Sequence, residues 1–170
     1  MVPLGTVLGY ALWHRHTQLH QAVPTAVAAV VTMVPEGLIL LTNDGDLAAR
    51  LTHPRHGVPR VYEVRVLGIP NAKDIERLSR GILIDGRRTE PAQVQVVPSR
   101  TDDRSTIRIT IREGRNREVR RIFEHFGYEV KRLDRKEYAS ITTRGLKRGE
   151  YRHLTRDEVA QLQRLVSEER

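Results

Sequence analysis

The sequence contains no cysteine among its 170 residues. This absence excludes disulfide bonds, thiolate metal sites and cysteine nucleophiles, and it fits a reducing compartment. Long apolar runs are missing as well: the mostly apolar stretch at residues 23–35 has 13 residues and two prolines, whereas a helix needs roughly 20 residues to cross a bilayer. We therefore expect no membrane-spanning helix and predict a cytoplasmic protein.

Acidic residues are missing from the first part of the chain, since all 21 Asp and Glu lie at or after Glu36. Residues 1–35 carry one arginine and a run of Ala and Val without clear helical or strand periodicity. From Glu36 onward, local signals agree with one another over short distances, as they do in a sequence that specifies a fold. We therefore predict two parts: a segment without an assigned structure, residues 1–35, and a folded domain, residues 36–170.

The charge balance indicates a polyanionic partner. The chain has 29 Lys and Arg against 21 Asp and Glu, a formal charge of +8 and a pI near 10.4. A basic surface binds nucleic acid favourably because counterions are released from the phosphates. From composition alone, a solvated basic face is an equally good interpretation. Residues 112–136 hold nine Lys or Arg and five Asp or Glu, so the positive charge is concentrated there. This concentration favours a nucleic-acid face.

Hydrophobic patterning predicts a mixture of strands and helices. The apolar run at residues 37–42 ends at Asn43-Asp44-Gly45, which is typical of a buried strand followed by a tight turn. Residues 60–67 alternate between two faces and predict another strand. Similar arguments predict helices at 47–51, 72–80 and 116–126 and from Thr155 onward. Asn71 can cap the second of these helices, and Thr155 with Glu158 makes a capping box for the last. Strands are predicted at 82–84 and 92–97, on either side of the turn Asp85-Gly86, at 107–111 and at 129–133. We therefore predict an α+β fold with a mixed, mainly antiparallel sheet.

The densest cluster of basic residues follows a predicted strand and a glycine. Residues 112–121 carry five arginines at a strand end, a turn and a helix start. Backbone N–H groups and guanidinium groups can both meet phosphate in such a place. The alternative is that these arginines only form a solvated helix face. From composition alone, this alternative is about as well supported as phosphate binding.

Other candidate site residues have ordinary structural explanations. Tyr62 is more often a core residue than a platform for base stacking. Asp44 and Asp46 could bind metal or act in acid and base catalysis, but Asn-Asp and Asp-Gly are common in turns. His14, His16 and His20 could resemble a metal cluster. No helix is predicted at these residues, however, so their spacing is weak evidence for a metal site. We expect no metal site.

Four motifs in order carry a resemblance to a known family: Glu36-Gly37-Leu38-Ile39-Leu40-Leu41-Thr42-Asn43-Asp44-Gly45, His53-Pro54, Tyr62-Glu63-Val64 and Glu113-Gly114-Arg115-Asn116-Arg117-Glu118-Val119-Arg120-Arg121. Taken together they resemble RNA pseudouridine synthases of the small-ribosomal-subunit type, a branch that also includes large-subunit relatives. The resemblance implies a bisected mixed sheet with an RNA cleft across its middle, no cofactor or metal, and ribosomal RNA as partner. We expect a monomer.

The resemblance also implies roles for particular residues. In the family an aspartate attacks the uridine after the base is flipped out, and the base is then turned and rejoined through carbon. By position, Tyr62 would stack on the target base and Arg120 would pair with the aspartate. Arg115, Arg117, Arg121 and Arg60 are candidate RNA contacts.

The nucleophile itself does not match the family pattern. The family has Gly-Arg-Leu-Asp before the Glu-Gly motif, and counting back from Glu36 places Thr32 where the aspartate belongs. Threonine does not supply an ionised nucleophile without a strong base beside it. Three hypotheses stay open: residues 1–35 come from the wrong reading frame, the protein binds RNA without catalysis, or an unrecognised nucleophile serves an active isomerase.

Overall fold

The structure, a computed structural model, describes residues 36–97, 103–115 and 117–167. In chain order the described elements are β1 (Glu36–Gly37), α1 (Gly45–Thr52), a 3-10 turn (Pro54–His56), β2 (Arg60–Leu67), α2 (Ala72–Ser79), β3 (Leu83–Ile84), β4 (Arg87–Arg88), β5 (Gln93–Val97), β6 (Arg104–Ile111), α3 (Glu118–His125), β7 (Val130–Tyr138), β8 (Ile141–Thr142) and α4 (Arg156–Ser167).

One main sheet organises the fold. Its strand order is β1-β7-β2-β6-β5, and β8 pairs with β7. Only the β1–β7 pair is parallel among the described strands of this sheet; the other neighbours run antiparallel. Strands β3 and β4 form a separate hairpin. The predicted α+β class with a mixed, mainly antiparallel sheet is therefore confirmed.

Alternating side chains of β2 and β6 build the first of two hydrophobic cores. Val64 is paired with Ile107 and Tyr62 with Ile109, and both isoleucines are fully buried. Helices α2 and α3 cover this face through Leu78 and through a stripe of apolar residues on α3. The first core contains the buried residues Tyr62, Val64, Val66, Leu78, Ile82, Ala92, Ile107, Ile109, Ile111, Val119, Ile122, Phe123 and Leu133.

A second core lies at the other end of β7. Helices α1 and α4 contact each other there and pack over the last residues of β7 and over β8. Its buried members are Leu38, Leu51, Val58, Tyr138, Ala139, Ile141, Leu162 and Val166. Two separate cores on one sheet agree with the bisected arrangement that the family resemblance implied.

The strand predicted at residues 37–42 is much shorter than expected. Only Glu36–Gly37 pairs with β7, and the chain then leaves the sheet. Leu38 is buried, but Ile39 and Leu41 are 51% and 56% exposed. An apolar run predicts a buried strand only where partners cover both faces, and no described strand pairs with residues 38–42.

The region around Asp85-Gly86 also differs from the prediction. Residues 83–84 pair with Arg87–Arg88 across this turn, whereas Gln93–Val97 joins β6 in the main sheet. The strand predicted at residues 129–133 is β7, which continues to Tyr138. Its continuation was missed because residues 134–137 are all charged, and a run of charged residues shows no apolar alternation.

Candidate nucleic-acid interface

A buried arginine joins the two cores. Arg60 begins β2 and is only 7% exposed. Its Nη2 donates to the carbonyl of Leu51 and to the hydroxyl of Tyr138, each at 3.5 Å, and its Nη1 donates to the carbonyl of Arg112 at 3.5 Å. The guanidinium also lies 5.2 Å from the centre of the Tyr138 ring. The structure therefore places Arg60 among protein groups, where it has almost no surface to offer an RNA phosphate, contrary to the sequence prediction.

Arg135 fastens β1 to the same region. Its Nε donates to the carbonyl of Leu38 and its own carbonyl accepts from the Leu38 N–H, both at 2.8 Å. Gly37 makes this approach possible: its φ is 112°, and a Cβ there would lie 2.5 Å from the Arg135 carbonyl oxygen. The segment that follows the expected nucleophile position is thus held by β7.

Tyr62 lies in the first core, where it is 8% exposed. Its cross-strand neighbours are Ile109 on β6 and Arg135 on β7. A tyrosine that stacks on a base needs an open ring face. The stacking role of Tyr62 stays a prediction, and it requires the ring to be uncovered when RNA binds.

The glycine-arginine motif forms what we call the arginine loop, made of Glu113, Gly114, Arg115 and Arg117. Glu113 bridges two neighbours: Oε2 pairs with Arg115 Nη2 at 2.9 Å, and Oε1 accepts from the Glu90 N–H at 2.7 Å. A Cβ on Gly114 would lie 2.9 Å from a guanidinium nitrogen of Arg60, so the glycine lets the loop approach the buried arginine.

The first turn of α3 holds the loop from the other side. Glu118 Oε2 accepts from the Arg115 N–H at 3.1 Å. Burial of Glu118, followed by its contact with the Glu113 carboxyl, raises its pKa to about 8. Its Oε1 is buried and has no hydrogen-bond partner among the described residues, and the raised pKa of Glu118 favours the neutral form of this carboxyl. Two carboxyl groups therefore support one arginine.

Two further arginines flank α3. Arg121 forms an ion pair with Asp85 at the tip of the β3–β4 hairpin. Arg117 precedes α3 in the left-handed conformation, with φ 51°, and its side chain is 47% exposed. Its Nη2 lies 3.7 Å from Glu124 Oε1, an exposed pair of the kind that contributes little. Arg117 is therefore available to a phosphate.

Arg120 does not face a carboxylate among the described residues. Its Nη1 donates to the carbonyl of Val130 at 3.3 Å, at the start of β7. The position expected for the family aspartate, Thr32, lies outside the described residues. The predicted pairing of Arg120 with the family aspartate therefore stays a prediction.

A cavity of about 190 Å³ brings several of these side chains together. We call it the arginine pocket; its lining residues are Ile84, Asp85, Arg87, Thr89, Arg115, Glu118 and Arg121. Three guanidinium groups face the Asp85 side chain and the Glu118 carboxyl, whose raised pKa favours its neutral form, so the pocket favours an anion. Sequence analysis missed Arg87, although the Asp-Gly turn directly before it was a usable signal.

The alternative chemistries find little support in the described residues. Asp44 caps α1, where its Oδ1 accepts from the Leu47 N–H at 2.9 Å, which fits the turn interpretation. Within residues 36–97, 103–115 and 117–167, no three acidic or histidine side chains cluster as they would around a metal ion. In the same ranges no helix is long and apolar enough to cross a membrane. His14, His16 and His20 lie outside them.

Comparisons with known proteins match this fold and motif set. The sequence pattern described as RNA pseudouridylate synthase matches residues 35–125, more than half of the chain. The chain therefore belongs to the RNA pseudouridylate synthase family. A crystal structure of a pseudouridylate synthase superposes with a TM-score of 0.68 and 31% identity, over 78% of this chain and 56% of the other.

Named relatives refine the comparison. The chain is 44% identical over 131 residues to the ribosomal large subunit pseudouridine synthase B of Bacillus subtilis (strain 168), and the match spans 76% of this chain and 54% of that protein. It is 38% identical over 132 residues to the ribosomal large subunit pseudouridine synthase E of Vibrio parahaemolyticus, over 70% and 56%. The chain thus spans about half the length of these curated relatives. Both names refer to the large subunit, so the predicted small-subunit type is not confirmed.

Proposed function

We propose that this chain binds ribosomal RNA and serves the conversion of uridine to pseudouridine within it. The observation that carries the proposal is the arginine pocket, in which Arg115 is fixed by Glu113 and Glu118 beside Arg121. Membership of the family and the ribosomal names of two relatives support the same partner. Residues 36–170 would then be the part of a synthase that holds the RNA.

The arrangement suggests how a target nucleotide would be held. Flipping a base out of its stack costs a few kcal/mol, which contacts to the flanking phosphates must offset. Arg115 and Arg121 offer guanidinium groups from a pre-formed pocket, and the exposed Arg117 can add a third contact. Pre-formed donors lose less side-chain entropy on binding than free ones.

The Arg120 side chain would have to change its conformation to pair with a catalytic aspartate, which is the role that the family resemblance implies. Pairing with a catalytic carboxylate requires the guanidinium to leave the Val130 carbonyl, a single hydrogen bond of 3.3 Å. The exchange of a neutral acceptor for a charged one is favourable, since charge-assisted hydrogen bonds are roughly twice as strong. The carboxylate would have to come from outside residues 1–35, which contain no Asp or Glu.

Binding without isomerisation is the second candidate, and a specific observation favours it. Thr32 stands where the family has its aspartate, and no acidic residue precedes Glu36. A wrong reading frame over residues 1–35 would explain the same observation. Translating the other two frames of the coding DNA tests that explanation, which fails if neither frame contains Gly-Arg-Leu-Asp.

Two measurements on the full chain separate the candidates. Isomerisation breaks the glycosidic C–N bond, forms a C–C bond at C5 and gives the C5 hydrogen to water, so ribosomal RNA with 5-tritiated uridine releases tritium. Release supports the isomerase, and release lost in Arg120→Ala assigns that arginine to the reaction. Salt-sensitive binding without release supports the second candidate, whereas no binding at low salt overturns both.

A matched pair of variants tests the RNA-binding surface. Arg117→Gln should weaken RNA binding and lower the slope of log affinity against log salt by about 1, as expected for one lost phosphate contact. Arg65→Gln makes the same charge change at an exposed position on the outer face of β2 and should bind like the wild type. Equal loss in both variants would show only a general effect of net charge.

A further inference from the structure

A second and larger cavity lies on the other side of the β3–β4 hairpin. Its volume is about 390 Å³, and we call it the basic groove. Every ionisable side chain that lines it is basic; the lining residues are Arg77, Arg80, Gly81, Ile82, Leu83, Arg88 and His125. Three guanidinium groups without a lining carboxylate form an environment suited to a phosphate.

The groove has a fixed floor. The Ile82 N–H donates to Thr89 Oγ1 at 3.0 Å, and the Thr89 N–H donates to the Ile82 carbonyl at 2.8 Å. Gly81, with φ 81°, lies so close to the Thr89 carbonyl that a Cβ would collide with it. The base of the hairpin is therefore tied to the end of α2, and Arg88 Nη2 donates to the Arg80 carbonyl at 3.4 Å.

The arginines of the groove are only loosely engaged. Arg80 pairs with Glu76 at 2.6 Å, but both side chains are more than half exposed. Arg77 lies 4.0 Å from Asp74 and stacks at 5.2 Å on the Phe126 ring. The exposed Arg80–Glu76 pair contributes little, so a phosphate can replace the Glu76 carboxylate at small cost.

The basic groove continues the arginine pocket. Arg115 Nη2, which belongs to the pocket, donates to the Arg88 carbonyl at 2.8 Å. Arg87 lines the pocket, and the next residue, Arg88, lines the groove, because successive strand residues point to opposite sides. A polyanion that leaves the pocket over the hairpin therefore meets a second set of guanidinium groups.

We propose that the basic groove binds backbone phosphates of RNA that flanks the nucleotide held at the arginine pocket. This inference rests on the proposed function for the identity of the polyanion. It adds a subsite, built by Arg80 and Arg88 with Arg77 behind them, which extends the footprint beyond the flipped nucleotide. Affinity for long RNA then depends on residues that short RNA does not reach.

The test compares two RNAs with two double variants of the full chain. The probes are oligouridylates of about 4 and about 16 nucleotides, the range of lengths that single-strand binding sites cover. Arg80→Gln with Arg88→Gln removes two groove charges. Arg65→Gln with Arg104→Gln removes two exposed charges from the main sheet and serves as the control. Thermal melts check that both double variants remain folded.

The groove variant should weaken binding of the long RNA about 10-fold at moderate salt, and it should lower the salt slope by about 1 to 2. Its affinity for the short RNA and both affinities of the control variant should stay at the wild-type values. If the long RNA binds the groove variant as tightly as the wild type, the inference is wrong while the proposed function stands. If the wild type binds neither oligouridylate at low salt, the inference is wrong, whereas the proposed function is decided by the binding of ribosomal RNA.

Inorganic phosphate distinguishes an anion site from an RNA site. Titration of phosphate alone into the wild type and the groove variant reports whether the groove holds a free ion. Loss of phosphate binding together with loss of affinity for long RNA supports the inference. Loss of phosphate binding with unchanged affinity for long RNA overturns it and leaves a site for a small anion only.

Discussion

The two hydrophobic cores on the sheet differ in size, since the first contains 13 of the described buried residues and the second contains eight. Around the first core, Val64, Val66, Ile107 and Ile109 are fully buried, and Phe123 from α3 is 1% exposed. Around the second core the apolar run after β1 stays partly open, since Ile39 and Leu41 are more than half exposed. All residues of the arginine pocket and the basic groove attach to the first half.

This difference shows where rigidity is placed. Contacts to phosphate work best when the donors are held by packed elements rather than by free loops. Helix α3 is packed into the closed core and supports Arg115 through Glu118, whereas the segment beside the expected nucleophile position is held mainly by Arg135 and Gly37. The half of the sheet that carries the arginine pocket thus contains the larger of the two hydrophobic cores.

The largest expected effect tests this contrast in packing. Phe123→Ala should lower the free energy of unfolding by about 3–5 kcal/mol, because it leaves a cavity in a closed core. Leu41→Ala, at an exposed position of the second half, should change it by less than about 0.5 kcal/mol. Urea unfolding of both variants measures the contrast, and similar losses would remove it.

A smaller effect is expected where β1 joins β7. Gly37→Ala forces a Cβ toward the Arg135 carbonyl at a φ of 112°, so it should cost about 1–3 kcal/mol and loosen the segment around Leu38. Gly45→Ala, where a Cβ meets nothing within 4 Å at the start of α1, should be neutral or stabilising. Urea unfolding and hydrogen exchange of the Leu38 amide follow the two changes. An unaltered Leu38 amide in Gly37→Ala would contradict the anchoring role.

The pH dependence of stability should reveal the buried carboxyl pair of the first half. Glu118 has a pKa raised from 4.5 to about 8, so between these values the folded state keeps a proton that the unfolded state has lost. The free energy of unfolding should therefore fall as pH rises through this window. Glu118→Gln should flatten the profile.

Urea unfolding at several pH values between 5 and about 8 measures that slope. Glu129→Gln changes an exposed glutamate near the same half and should retain the wild-type slope. A wild-type profile without any fall toward pH 8 would count against a protonated Glu118.

The smallest effect is expected at the surface of the second half. Hydrogen bonds from Arg152, and then from the Thr155 N–H, lower the pKa of Glu158 to about 2. Their contribution is present above the ordinary pKa of 4.5 and is lost as pH falls toward 2. Glu158→Gln should lower the melting temperature slightly at pH 7 and not at all near pH 2. Equal shifts at both pH values would be the contrary result.

Local sequence signals predicted the elements whose partners are near in sequence. Asn71 was expected to cap α2, and its Oδ1 accepts from the Asp74 N–H at 2.8 Å. The capping box of Thr155 and Glu158 is present at α4. Strand β2 matches its predicted bounds because the buried residues Tyr62, Val64 and Val66 alternate with Glu63 and Arg65. Helix caps and strand alternation depend on residues that are only a few positions apart, so they can be predicted from the sequence alone.

The candidate site was only partly predictable for the opposite reason. The arginines at positions 115, 117 and 121 were found from their motif, but Arg87, Arg80 and Arg88 join them only because the hairpin folds back on α2 and α3. The support from Glu113 and Glu118 depends on burial that a sequence does not display. Proximity created by tertiary packing leaves no local pattern.

The sequence by itself determined the α+β class, the family motifs and the concentration of positive charge after residue 112. Only the tertiary structure decided that Arg60 is an interior residue and that Ile39 and Leu41 are exposed. The physical reason is that burial depends on what packs against a side chain. The groups around Arg60 include the hydroxyl of Tyr138 from β7 and the carbonyl of Arg112, both far away in the chain.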